Sequence, residues 1–178
     1  MTDNKNFVND ILMYPQTFTD YITGKKPIQE TLLKTFAKHN CDLVYVDTSK
    51  VTNMSQTFEE ATSFNQDIAN WDVSNVTNMS HIFNGAMSFN QDISQWDVSN
   101  VRNTFRMFDR ATSFNQDISQ WDTSSVTNTS WMFIKATSFN QDISQWDVSN
   151  VIVRFGMFNL ATSMEEAHKP TFQTNKEH

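Results

Sequence analysis

Five aspartates at intervals of 25 residues, Asp47, Asp72, Asp97, Asp122 and Asp147, are the residues whose type and spacing come nearest to chemistry in this chain. Stacked at an interstrand spacing of roughly 4.8 Å, neighbouring carboxylates repel by about 1 kcal/mol at the dielectric of water. Such a ladder calls for compensation, either from local donors such as the flanking Ser and Gln or from a cation or basic partner. Asp67, Asp92, Asp117 and Asp142 form a second acidic column nearer a turn. The glycine-rich calcium nonapeptide of parallel β-rolls is missing, so no metal is assigned. Nor is any catalytic residue. His39, His81, His168 and His178 are scattered without metal-ligand spacing, no G-x-S-x-G occurs, and Gly24, Gly85 and Gly156 do not make a phosphate-cradling loop. The lone Cys41 reads as a small structural side chain rather than a nucleophile. No enzyme activity and no cofactor is expected.

The columns exist because the chain repeats. Residues 89–101 and 139–151 both read FNQDISQWDVSNV, and 64–76 and 114–126 are near copies, which sets a period of 25 residues. Trp71, Trp96, Trp121 and Trp146 form one apolar column, and Phe58, Phe83, Phe108, Phe133 and Phe158 another. A fixed period of this length marks an array whose units bury their apolar sides only against one another. Within a unit, Ile68, Trp71, Val73 and Val76 follow the L-x-x-L-x-L rhythm and predict a short parallel strand over 71–73, with Asp72 outward. Thr48 and Thr123 occupy inward places of that rhythm. Met54, Thr57, Phe58 and Ala61 fall at i, i+3, i+4 and i+7 and predict a helical segment of about two turns.

The expected fold class is therefore α/β: a right-handed leucine-rich-repeat-like solenoid over 43–163, five units each with a short parallel strand and a short helix. Residues 1–42 are expected to form a helical N-terminal cap, with PIQETLLKTFAKH at 27–39 opened by Pro27 and carrying Ile28, Leu32 and Phe36 on one face. Residues 164–178 are expected to be a C-terminal cap and a loose tail. The column Asn65, Asn90, Asn115 and Asn140 is expected to form a hydrogen-bonded ladder that serves turn backbone.

Between units, variation gathers on the outer side of the expected helix. The position after Ser55 holds Gln56, His81, Arg106, Trp131 and Gly156 in turn, and the serine position itself becomes Phe105 and Phe155. Phe105, Arg106, Trp131, Ile134, Arg154 and Phe155 are thus the candidate partner-binding residues, because aromatics and Arg are enriched at binding hot spots. A contiguous apolar patch on a surface marks a contact site. The alternative is a slip of register that turns these rings into the core, since Thr104, Thr129 and Arg154 stand where other units place an inward Met.

An excess of 20 acidic over 13 basic residues gives a net charge of −7 and argues against nucleic acid as a partner. No run approaches membrane-span length and the first residues lack signal-peptide character, so no membrane insertion is expected and the chain as written reads as cytoplasmic. The phrase WDVSNVTNMSHIFNGAMSFNQDI at 71–93 closely resembles the 25-residue repeats of the BspA-like leucine-rich-repeat surface proteins, a domain type of mycoplasma lipoproteins. The resemblance covers roughly 43–164, and it implies a repeat fold and a place at the cell surface. The function expected is that of a non-enzymatic interaction module, whose outer helical face meets a protein partner or a second copy of the chain. The alternatives are a self-assembling or adhesive element stacking through its C-terminal edge, and a cation-binding protein using the Asp columns.

Overall fold

The computed structural model describes residues 15–172. The first part of the expected N-terminal cap, 1–14, and the end of the expected loose tail, 173–178, lie outside the described residues. Helix α1 spans Pro15–Ile22 and helix α2 spans Glu30–Lys38. Good helix formers fill α2, with Glu30 in its first turn and Lys38 in its last, where each complements the helix dipole. Its buried stripe is Leu33, Phe36 and Ala37, whereas Leu32 is only partly buried and Ile28 precedes the helix. The amides of Asn40 and Cys41 donate to Ala37 and Phe36, a Schellman ending with Asn40 in the left-handed region at φ 52°. Pro27 does not open α2; it makes a parallel bridge with Asp47, and the Ile28 amide donates to the Asp47 carbonyl at 2.8 Å.

From residue 41 to 164 the chain departs from the expected α/β architecture. Among the described residues there is no α-helix in this region and no strand longer than a single bridge, so units of one strand and one helix do not form. Apart from the Pro27–Asp47 bridge, the parallel bridges among the described residues join Asn53, Asn78, Asn103, Asn128 and Val153 in series, not the repeated Trp-Asp-Val segments. The backbone explains why. Gln56, His81, Arg106, Trp131 and Gly156 all have φ between 52° and 62°, and Glu60, Gly85, Arg110, Lys135 and Leu160 all have φ between 58° and 73°. Two left-handed residues four apart in every unit are incompatible with a right-handed helix. No β-branched side chain or proline stands at any of these ten positions, in keeping with the steric limits of that region.

In place of a helix the chain makes tight turns whose amides divide their bonds. Thr57, Glu59 and Ala61 donate three residues back, while Met54, Gln56, Phe58 and Glu60 donate 2.7–3.0 Å to the carbonyls of Asn78, Ser80, Ile82 and Asn84 in the next unit. The same pattern recurs from 79–85 to 103–109, from 104–110 to 128–134 and from 129–135 to 153–159. Successive 25-residue turns therefore lie on one another, joined by backbone bonds that a helix would have kept to itself. The expected strand is also a pair of turns, closed by Trp71 N to Ile68 O and Val76 N to Val73 O, although Trp71 and Val73 point inward and Asp72 outward as the rhythm required.

The core is a set of ring columns. Phe58, Phe83, Phe108, Phe133 and Phe158 stack at 5.4–5.7 Å between centroids, and each of the first four lies 3.8–4.1 Å from its partner in the column Phe64, Phe89, Phe114 and Phe139. Every indole N–H of the Trp column donates to a carbonyl 28 residues back, Trp71 to Leu43, Trp96 to Ile68, Trp121 to Ile93 and Trp146 to Ile118. The asparagine ladder forms: Asn65, Asn90, Asn115 and Asn140 each accept, through Oδ1, the amide of the residue 25 positions on, at 2.9 Å. Thr48 and Thr123 turn their hydroxyls to the Asp72 and Asp147 carbonyls, which lets a polar side chain sit inward.

The two ends differ. Helix α2 covers the first turn, with Lys34 Nζ on Ser55 Oγ and Glu30 on the amide and hydroxyl of Thr52. At the far end a 3₁₀ turn, Glu166–His168, gives its His168 carbonyl to the Ile143 amide. That turn leaves the 153–160 side uncovered: Ile152 is 81% exposed and Phe155 72%. Among the described residues no acceptor meets the amides of Gly156, Phe158 and Leu160.

Candidate functional site

The left-handed positions aim their side chains away from the core, so the residues that vary between units line up along one face of the stack. Phe105, Arg106 and Trp131 meet there. The Arg106 guanidinium carbon lies 4.6 Å from the Trp131 ring centroid and 5.5 Å from that of Phe105, and the two rings are 5.6 Å apart. His81 extends the row, edge to face with Phe105 at 5.1 Å. Neither Phe105 nor Trp131 joins the core; both are partly buried at the surface, while Thr104 and Thr129 fill the inward places beneath them. The register does not slip. Thr104 donates to the Asn128 carbonyl at 3.0 Å, but the hydroxyl of Thr129 is buried without a partner, beside a cavity of about 10 Å³ lined by Met79, Val101, Met107 and Met132 among others.

Trp131 lies over Gly156, where a Cβ would stand 2.7 Å from its ring. A glycine at this left-handed position is what allows the indole to lie flat against the next turn. Phe155 continues the row toward the open end, its amide held by Ser130 Oγ at 3.0 Å and its ring exposed. Ile134 is half-buried one turn along. Arg154 stands apart from the cluster, its guanidinium 4.8 Å over the ring of Phe172.

Beside the aromatics runs a polar network that the sequence reading missed. Arg110 reaches across two turns to Glu60 and also donates to Asn84 Oδ1 at 3.1 Å. Gly85 makes this reach possible, since the Glu60 carboxylate occupies the space its Cβ would take. Asn84 in turn donates to Glu59 at 3.0 Å, and His81 Nδ1 lies 3.2 Å from the same carboxylate. Asp109, only 6% exposed, sits between Arg110 at 3.6 Å and Arg106 at 3.9 Å. Burial pushes its carboxyl above the ordinary value, against the pull of Arg110, Arg106, Lys135 and His81. The glycines at 85 and 156, one in each left-handed column, were the available signal.

The acidic columns are held by local donors. Asp72, Asp97 and Asp122 each accept, on Oδ1, the amide and the hydroxyl of the serine two residues on; Asp47 and Asp147 accept the amide. Asp67, Asp92, Asp117 and Asp142 do the same with the amides of Ala69, Ser94, Ser119 and Ser144. Hydrogen bonds from Ser124 hold Asp122 below the ordinary carboxylate value although its neighbour Asp147 works against them. Each aspartate thus closes a turn, and among the described residues no group of three His, Cys, Asp or Glu is placed to hold a metal ion. Cys41 is half-buried, and burial raises its thiol.

Residues 29–127 and 105–177 match the family described as Mycoplasma protein of unknown function, DUF285. The chain belongs to that family. DUF285 membership attaches to the stacked turns and to α2, for α1 lies outside both matches. No curated protein and no solved structure matches this DUF285 chain.

Proposed function

We propose that this chain is a non-enzymatic protein-contact scaffold whose stacked turns present the aromatic and arginine row to a protein partner. One observation carries the reading: Phe105, Arg106 and Trp131 are packed into a single cluster on the surface instead of being absorbed by the core, and they continue into the exposed ring of Phe155. Rigid aromatics with a stacked Arg are the groups that dominate contact energies. The backbone beneath them is fixed by bonds on both sides, so the row is presented with little entropy to lose. The repeat phrase at 71–93 supports a further step, membership of the BspA-like repeat proteins, and with it a role in contact at the cell surface.

The test sets the wild type beside Phe105→Ser, Trp131→Ser, Phe155→Ser on a sensor surface, both exposed to the same protein mixture. The variant is expected to keep the wild-type melting curve, because none of the three rings is in the core. Ligands retained by the wild type should be lost by the variant. Retention that survives the triple change, or loss of cooperative unfolding in the variant, refutes the proposal.

A further inference from the structure

The charge of the stack is uneven: the aspartate side is acidic throughout, and the variable side, which also holds Glu59, Glu60 and Asp109, is net basic from residue 102 on. All five basic residues between 51 and 163, Arg102, Arg106, Arg110, Lys135 and Arg154, lie in or next to the variable turns. The Trp-Asp-Val side has no lysine or arginine over the same span, and its two columns hold eight aspartates, all exposed. Ring contacts fix the relation of the two sides. Phe83 from the variable turns meets Trp96 from the aspartate side at 6.2 Å, and Phe108 meets Trp121 at 6.5 Å, so the core separates the two faces. In each capped aspartate the serine bonds fall on Oδ1, and among the described residues the second oxygen has no partner. Both faces also share one period along the stack, because the same backbone bonds set the rise of each.

We infer that the contact face takes the aspartate face of a second copy of this chain, side by side, with one molecule's Asp columns against the other's basic and aromatic row. The inference rests on the reading of that row as a protein-contact surface and names its partner. Charge complementarity carries it: from 102 to 154 the variable side holds five basic residues against one acidic, Asp109, and the aspartate columns it would meet hold no basic residue, whereas two like faces repel. The pairing is heterologous, so the pair keeps one unused face of each kind, and pairing extends into rows. Salt separates the forces at work. At about 0.1 M the net negative charge of the two molecules is screened beyond roughly 10 Å while contact pairs still attract, and at about 1 M the screening length of roughly 3 Å weakens the pairs as well.

Sedimentation velocity tests this on the full chain and two variants. The first, Asp72→Asn, Asp97→Asn, Asp122→Asn, removes charge yet keeps an Oδ1 acceptor for each serine. The second, Arg102→Gln, Lys135→Gln, changes two exposed side chains and leaves the Arg106 and Arg110 pairs with Asp109 in place. The wild type should associate at about 0.1 M salt and weaken at least tenfold at about 1 M. Either variant alone should be monomeric, and an equimolar mixture should form a one-to-one dimer, since each still holds one sound face. A wild type that stays monomeric, an asparagine variant that still associates, or a mixture that fails to pair overturns the inference. A monomeric wild type leaves the contact-face proposal standing, because that proposal is tested by the triple serine variant, through its ligand retention and its cooperative unfolding.

Discussion

Thr104 and Thr129 occupy the same inward place in successive turns, and replacing each with valine should move stability in opposite directions. Valine has nearly the shape of threonine, so packing is held constant and the hydroxyl alone is tested. Thr104 Oγ1 donates to the Asn128 carbonyl at 3.0 Å, and that carbonyl also accepts the Thr104 amide. Removing the hydroxyl therefore loses one bond without stranding the acceptor, a cost of about 0.5–1 kcal/mol. The hydroxyl of Thr129 is fully buried and unpaired. Its removal relieves a desolvation penalty, and Thr129→Val should gain about 1–2 kcal/mol. The two variants should differ by about 2 kcal/mol, which for a chain of this length is a gap of roughly 4–8 °C in melting temperature. Urea unfolding at unchanged m, together with thermal melts, reads the difference. A Thr129→Val variant no more stable than Thr104→Val refutes the assignment of the orphan hydroxyl.

Four further outcomes are expected. Trp121→Phe removes the indole bond to the buried Ile93 carbonyl at 3.1 Å, which keeps the Trp96 amide, and should cost about 1 kcal/mol in urea unfolding; an unchanged midpoint would contradict the role of the Trp column. Gly156→Ala places a methyl against Trp131 at a left-handed φ, and should cost about 1 kcal/mol or more while shifting Trp131 fluorescence to the red. Stability should fall as pH drops below about 4, because six aspartates, among them Asp72, Asp92 and Asp122, are held below their ordinary value by serine bonds in the folded state. Their contribution is present above the unfolded value and lost as pH falls through the folded one. Asp109 runs the other way: raised by burial, its contribution is lost as pH rises through its folded value, so Asp109→Asn should flatten the melting temperature above about pH 4. A melting temperature that does not fall in acid, or an Asp109→Asn profile that matches the wild type, counts against these assignments.

The period, the inward columns and the asparagine ladder were legible in the sequence because each is a repeated residue type whose neighbour lies 25 positions away. The identity of the elements was not. Met54, Thr57, Phe58 and Ala61 have helical spacing, yet three-residue turns linked in series return side chains to the same side at nearly the same intervals. What decides between them is the sign of φ at positions 56 and 60, and Gln and Glu announce nothing about it. Only Gly85 and Gly156, in the same columns, hinted at left-handed backbone. Phe105, Arg106 and Trp131 could be picked out as neighbours because they stand in adjacent columns of successive units. Glu60 and Arg110 could not, since their pairing spans 50 residues and depends on the missing side chain of the glycine between them.

Among the described residues the amides of Gly156, Phe158 and Leu160 meet no acceptor, which gives the stack a direction. Each unit hands four amides forward to the next and hands fewer back, as from Thr77 to Thr52 and from Ser88 to Thr62, so the last unit presents more donors than acceptors. A seal over it must bring carbonyls, as a further unit of the same repeat would. A change in the number of units would therefore lengthen the molecule without altering the character of its terminus.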